Sequence, residues 1–170
     1  MISGKNYIGY TLSAKGSKFH KTFNPELNQE NSWTFIEATD EEIEEAVQKA
    51  KSAFLTYRNF SGIEKANFLN SIADEIIALG DKILDVYVQE SGLPRGRAEG
   101  ERGRTVGQLR AFADMLTKGN WVEATIDTAD KNRLPLPKED LRKMLTPLGP
   151  IVVFGSSNFP LACLDASGTS

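Results

Sequence analysis

The chain has 170 residues, of which 40% are hydrophobic and 25% charged, with 20 basic against 23 acidic side chains. That length suits one ordinary domain, able to bury roughly 70% of its unfolded surface. A net charge of −3 argues against a nucleic-acid binder, and no apolar stretch approaches the ~20 residues of a membrane span. The start, "MISGKNYIGYTLSAKG", has no continuous apolar core of the kind a secretory signal carries. The single cysteine, Cys163, excludes an internal disulfide framework and fits a cytoplasmic location. With His20 as the only histidine, nitrogen and sulfur ligands are too few for a structural zinc site, so no metal is expected.

From Lys5 to Trp33, aromatic and β-branched residues are broken by "AKGSK" and "NPELNQEN". This predicts short strands joined by turns, with Asn24-Pro25 opening one turn and Asn28 inside it. The period then lengthens. Thr39 and Glu42 stand in capping-box spacing, and Ile43, Ala46, Val47, Ala50 and Phe54 recur at helical intervals, predicting a surface helix with one buried stripe. Ser61 with Glu64 opens a second helix, with Leu69, Ile72, Ala73 and Ile76 as its buried face and Gly80 as its stop. A third helix runs from Asp81 to Gly92, and Pro94 suits the first turn of a fourth that continues to Gly119.

That fourth helix carries Gly100, Gly103 and Gly107 on one face, each costing about 1 kcal/mol relative to alanine. Close approach of another backbone is the physical use of such a stripe. Past Trp121 the pattern "WVEATIDT" alternates, predicting a strand. "LRKML" predicts another, and after a turn from Pro147 to Pro150 the run Ile151–Phe154 predicts a strongly apolar one. Strands, four helices and strands again make the class mixed α and β. A packed core is expected around Ile43, Phe54, Leu69, Ile76, Leu109 and Leu116.

Four stretches together carry a family resemblance: "FNPELNQE", "ATDEEIEEAVQKAKSAF", "ESGLPRGRAEGERGRTVGQLRAFAD" and "TPLGPIVVFGSSNFPLA". In order and ungapped, they resemble the N-terminal portion of the aldehyde dehydrogenase superfamily, from about Tyr7 to Ala162. The Ala-Glu-Gly-Glu-x-Gly-Arg-Thr core of the third is similar to dehydrogenases acting on 2-oxoglutarate semialdehyde (2,5-dioxopentanoate). The resemblance implies an α/β fold in which a helical cluster is flanked by strands, with an incomplete Rossmann-like sheet. It divides the chain into N-terminal strands (1–36), a helical cluster of the cofactor domain (37–119), oligomerisation-type strands (120–145), and a first cofactor-sheet strand with an asparagine loop and an atypical tail (146–170).

The chemistry implied is NAD- or NADP-dependent oxidation of an aldehyde to the carboxylic acid by a homo-oligomer that needs neither nucleic acid nor membrane. In that family a cysteine thiolate attacks the aldehyde, an asparagine amide helps hold the oxyanion, and a glutamate activates water. The asparagine matches Asn158. Phe154, Gly155, Ser156 and Ser157 match the loop that passes the nicotinamide and its ribose. On residues alone, Asn158 reads as a cap or turn brace before Pro160, and only the resemblance favours the oxyanion role. The family's nucleophilic cysteine and catalytic glutamate match nothing in this chain, and "CLDASGTS" departs from the helix that follows in the family. A truncation, a frameshift product, or part of a longer enzyme would each look so, and the 170 residues alone are expected to be inactive.

Cys163 reads as inert packing or an incidental tail residue, and His20 as a solvated strand or turn residue. "GSSNF" fails as a serine elbow because Phe159 stands where the final glycine belongs. Asn59-Phe60-Ser61 fits a glycosylation sequon, which carries no weight in a cytoplasmic protein. An alternative from another class is a non-catalytic helical module that self-associates or docks on an intact subunit through its glycine-striped helix and exposed strands.

Overall fold

A computed structural model describes residues 2–155 and 158–161. Two hairpins open the chain. β1 (Asn6–Ile8) pairs antiparallel with β2 (Thr11–Ser13), and β3 (Phe19–Asn24) with β4 (Gln29–Ile36). The second turn forms where its residues predict. The Asn24 side-chain oxygen accepts the N–H groups of Glu26 and Leu27, each at 3.0 Å, and Asn28 takes a left-handed φ of 51°.

Four helices follow: α1 (Asp40–Tyr57), α2 (Gly62–Ala78), α3 (Asp81–Ser91) and α4 (Arg95–Lys118). Both expected capping boxes are present, Thr39 with Glu42 and Ser61 with Glu64. Gly92 and Gly119 close α3 and α4 in left-handed conformations at φ 66° and 72°. Pro94 stands just outside α4 as its N-cap rather than within the first turn.

α2 packs along α4 through small side chains, with Ala66, Ala73, Val106 and Ala113 buried. Gly62 permits the closest approach, since a Cβ there would stand 2.3 Å from the carbonyl oxygen of Leu116. The Gly100–Gly103–Gly107 stripe does not do this. A Cβ at any of the three would meet nothing within 4 Å. The buried face of α4 is instead Ala98, Glu101, Thr105, Val106 and Ala113.

The expected core also needs correcting. Ile43 and Val47 of α1 are exposed and Phe54 is half-buried, while Leu69, Ile76, Leu109 and Leu116 are half-buried. The buried centre is Leu84, Tyr87 and Ala98, with Ile83, Val88, Leu93 and Leu161 packed on it. Helical period identifies residues that share a face, but not the surface that covers it. In α1 the side chain that is fully buried is Glu42, whose carboxylate accepts the N–H groups of Lys15 (3.2 Å) and Thr39 (2.9 Å) and ties the helix to the segment after β2. At its other end, Tyr57 meets Phe60 and Phe68 edge-on.

After a 3₁₀ turn at Asn120–Val122, β5 (Thr125–Asp127) pairs antiparallel with β6 (Leu141–Lys143), so the strand predicted from Trp121 is shortened to three residues. All six residues of this pair are exposed. Ile151–Phe154 is exposed and forms no strand among the described residues, because no neighbouring strand offers it hydrogen bonds. The sheets are therefore three separate antiparallel pairs beside a helical layer, which keeps the mixed class. Among the described residues no helix is long and apolar enough to cross a membrane, and no three metal-ligating side chains cluster.

Candidate active-site loop

The segment Asn158–Leu161 is built onto the first half of α4, and the local sequence explains how. Gly92 ends α3, and Ser91 donates its hydroxyl to the Tyr87 carbonyl (2.6 Å) while accepting the Leu93 N–H (3.1 Å). Arg95 then bridges back to Asp81 (2.5 Å) and Asp85 (2.6 Å), holding the start of α4 against α3. With α4 so placed, Arg97, Glu101 and Thr105 lie four residues apart along one face.

Each of the three reaches the loop. The Arg97 guanidinium donates Nη2–H to the Asn158 carbonyl at 2.6 Å, and stands 4.8 Å from the centre of the Phe159 ring. Its Nε–H goes to Glu101 Oε1 at 3.1 Å. Glu101, only 6% exposed, takes the Tyr87 hydroxyl on the same oxygen at 2.7 Å and the Leu161 N–H on Oε2 at 3.3 Å. Thr105 donates its hydroxyl to the Leu161 carbonyl at 3.0 Å. Leu161 itself packs onto the Leu84–Tyr87–Ala98 core.

Electrostatics follow from this packing. Burial works against ionisation of Glu101, but the hydrogen bonds from Tyr87, Arg97 and Leu161 outweigh it and hold the carboxyl below its usual range. Burial, then the hydrogen bond to Glu101 and its negative charge, push the Tyr87 phenol up to about 12. The hydrogen bond to Glu101 helps raise the Arg97 pKa, so the cation is fixed. The result is a charged pair with a neutral phenol.

A second polar cluster secures the other side. Glu90 Oε1 accepts the Thr22 hydroxyl (2.9 Å) and the Trp33 indole N–H (2.7 Å), joining the β3–β4 hairpin to the end of α3. Between hairpin and loop lies an open groove of about 570 Å³, lined by Thr22, Phe23, Pro25, Tyr87, Glu90, Ser91 and Pro160.

Asn158 is exposed at the rim of the fold, with its backbone carbonyl anchored. Phe154 is 88% exposed, and Gly155 is exposed with open space where a side chain would be. Ser156, Ser157 and Cys163 lie outside the described residues. His20 is exposed on β3 and stacks on Phe35 at 5.7 Å, as a solvated strand residue would. The spacing Arg97, Glu101, Thr105 is visible in the sequence: Glu101 and Thr105 lie inside the Ala-Glu-Gly-Glu-x-Gly-Arg-Thr motif and Arg97 immediately precedes it. What it binds, and the part of Tyr87, become visible only once the loop is in place.

The described residues thus combine a helical layer with three short antiparallel pairs, and the segment Asn158–Leu161 lies on the rim of that layer. Residues 11–167 match the aldehyde dehydrogenase family, and the chain belongs to it. It is 42% identical over 166 residues to the alpha-ketoglutaric semialdehyde dehydrogenase of Acinetobacter baylyi, covering 98% of this chain and 32% of that protein. It is 43% identical over 168 residues to alpha-ketoglutaric semialdehyde dehydrogenase 2 of Azospirillum brasilense, with the same coverage of 98% and 32%. The chain thus spans about a third of the length of these curated relatives. Among solved structures, aldehyde dehydrogenase 21 of Physcomitrella patens, in complex with the reaction product succinate, superposes with a TM-score of 0.79 at 20% identity, covering 94% of this chain and 32% of that one. An NADP-dependent enzyme of Escherichia coli gives 0.78 at 19% identity, covering 92% and 31%. Both share the fold.

Proposed function

We propose that this chain contributes the oxyanion-binding wall of an NAD- or NADP-dependent dehydrogenase that oxidises 2-oxoglutarate semialdehyde to 2-oxoglutarate. The observation that carries the proposal is the 42–43% identity to two alpha-ketoglutaric semialdehyde dehydrogenases along 98% of the chain. Asn158 supplies the chemistry. Its side-chain amide carries two N–H donors, which hold the aldehyde oxygen as negative charge develops there. A donor already oriented needs no reorganisation at that moment, and its field acts most strongly where water is excluded.

The residues present fit one edge of a pyridine nucleotide. Phe154 and Gly155 are exposed, and the missing Cβ at Gly155 lets a flat ring approach the backbone. With Ser156 and Ser157 they form the stretch that would lie along the nicotinamide and its ribose. The nucleotide, when bound, accepts the hydride. The exposed β5–β6 pair lies within the stretch 120–145, assigned here to contact between subunits, and the stretches 1–36, 37–119 and 146–170 take the N-terminal-strand, helical and loop-bearing roles. A reducing cytoplasm suits these 170 residues, which hold a single cysteine.

The 170-residue chain by itself is expected to give no reduced nucleotide with 2-oxoglutarate semialdehyde, since the nucleophile and the water-activating base match none of its residues. Grafted in place of the matched 166 residues of the Acinetobacter baylyi relative, it should support turnover with that aldehyde. A folded graft that oxidises other aldehydes but not this one would contradict the substrate assignment.

One observation favours a second reading. All six residues of β5 and β6 are exposed, and an uncovered strand edge recruits another chain. Self-association without catalysis then becomes the chain's own property.

A further inference from the structure

The contacts made by Arg97 and Glu101 go beyond holding one helix to one loop. Three backbone groups of a four-residue segment are pinned: the Asn158 carbonyl by Arg97, the Leu161 N–H by Glu101, and the Leu161 carbonyl by Thr105. Between the pinned ends, Pro160 has its φ locked by its ring, and the Phe159 ring rests against the guanidinium. Little backbone freedom is left to the residue that carries the amide.

The chemistry of the bracket is specific to a carboxylate. Three donors converge on Glu101: the Tyr87 hydroxyl, Arg97 Nε–H and the Leu161 N–H. Two acceptor oxygens satisfy all three. An amide of the same shape has one oxygen, so its NH₂ must face a donor on one side or the other. The packing of Leu161 on the core would by itself hold the segment near α4. It would not fix the rotation of the Asn158 peptide, whereas a 2.6 Å charge-assisted bond to its carbonyl does.

We infer that Arg97 and Glu101 are positioning residues for Asn158, setting through the loop backbone the direction in which its side-chain amide meets the aldehyde oxygen. This rests on the oxyanion role proposed for Asn158. Neither side chain touches substrate; both act by removing alternative orientations of the donor before charge develops.

Two measurements test it. In the full 170-residue chain, Arg97→Ala and Glu101→Gln should raise the hydrogen-exchange rate of the Leu161 amide at least about tenfold and shift the Asn158 side-chain amide resonances, while Ala113 in α4 keeps its protection. Unchanged Leu161 and Asn158 signals would overturn the inference. In the grafted enzyme, either substitution should lower kcat by about tenfold to a hundredfold, the latter being the penalty of a misplacement near 1 Å, with KM for aldehyde and nucleotide within about twofold. Placed on an Asn158→Ala background, the same substitutions should cost less than about twofold, because the group they orient is gone. Equal losses in both backgrounds would mark a general structural role and overturn the positioning role alone. Full activity of Asn158→Ala by itself would overturn the oxyanion reading, and the positioning role with it.

Discussion

Glu101 shows what a single buried carboxylate does when several donors compete for it. Its ionised form is favoured in the fold despite burial, because Tyr87, Arg97 and the Leu161 N–H all donate to it. The sign of the pH effect follows. A carboxyl held below its ordinary value near 4.3 contributes stability above that value, and the contribution is lost as pH falls through the lowered pKa. Urea unfolding of the wild type and of Glu101→Gln should therefore differ at pH 7, with the gap closing below about pH 4. A gap independent of pH would mean that Gln loses shape or packing rather than charge. At this scale the sequence was partly legible. The four-residue spacing of Arg97, Glu101 and Thr105 puts them on one face of any helix, but three polar residues on a face ordinarily read as a solvated surface. Only the returning loop, about 60 residues later, makes them a bracket, with Glu101 and Thr105 buried and Arg97 at the rim. Asn158 stands out through the family motif alone, because an asparagine before Phe-Pro has ordinary turn uses.

Helix ends were the most legible elements, since a capping box or a left-handed glycine satisfies its own local groups and needs no tertiary partner. Thr39, Ser61, Gly92 and Gly119 stand at the helix ends as their spacing predicts. The Gly100–Gly103–Gly107 stripe is not legible in this way, because absence of a side chain does not say what approaches. At Gly62 the neighbour is a backbone carbonyl, and an alanine Cβ would be forced to 2.3 Å from it. Gly62→Ala should thus destabilise the chain by about 1–3 kcal/mol, as overpacking does. At Gly103 the space is open and the residue is exposed. Gly103→Ala should stabilise α4 by about 0.5–1 kcal/mol through helix propensity and reduced unfolded-state freedom. Chemical denaturation measures both, and opposite signs at these two glycines are the expected result. A loss at Gly103 comparable with that at Gly62 would show that the open face is covered in solution.

Across the whole molecule, apolar surface is spread over faces that the chain does not cover: Ile43 and Val47 on α1, Ile126 on β5, and Ile151 to Phe154 beyond β6. Large apolar side chains left exposed on several elements are the surface that contact with further protein would cover. The core forecast from helical stripes failed for the same reason, since α1 presents an apolar face that no described element packs against fully. Light scattering of the isolated chain should give a mass above the monomer's 18.7 kDa, reduced by a charge on the strand edge in Ile126→Lys; a strict monomer would oppose the subunit-contact role of β5–β6. The central claim concerns one side-chain amide, and one rate measurement reaches it. In the enzyme completed by grafting, Asn158→Ala should lower kcat for 2-oxoglutarate semialdehyde by about 10²–10³, with KM changed only a few-fold. A folded variant that keeps kcat within about threefold of the parent would contradict the account.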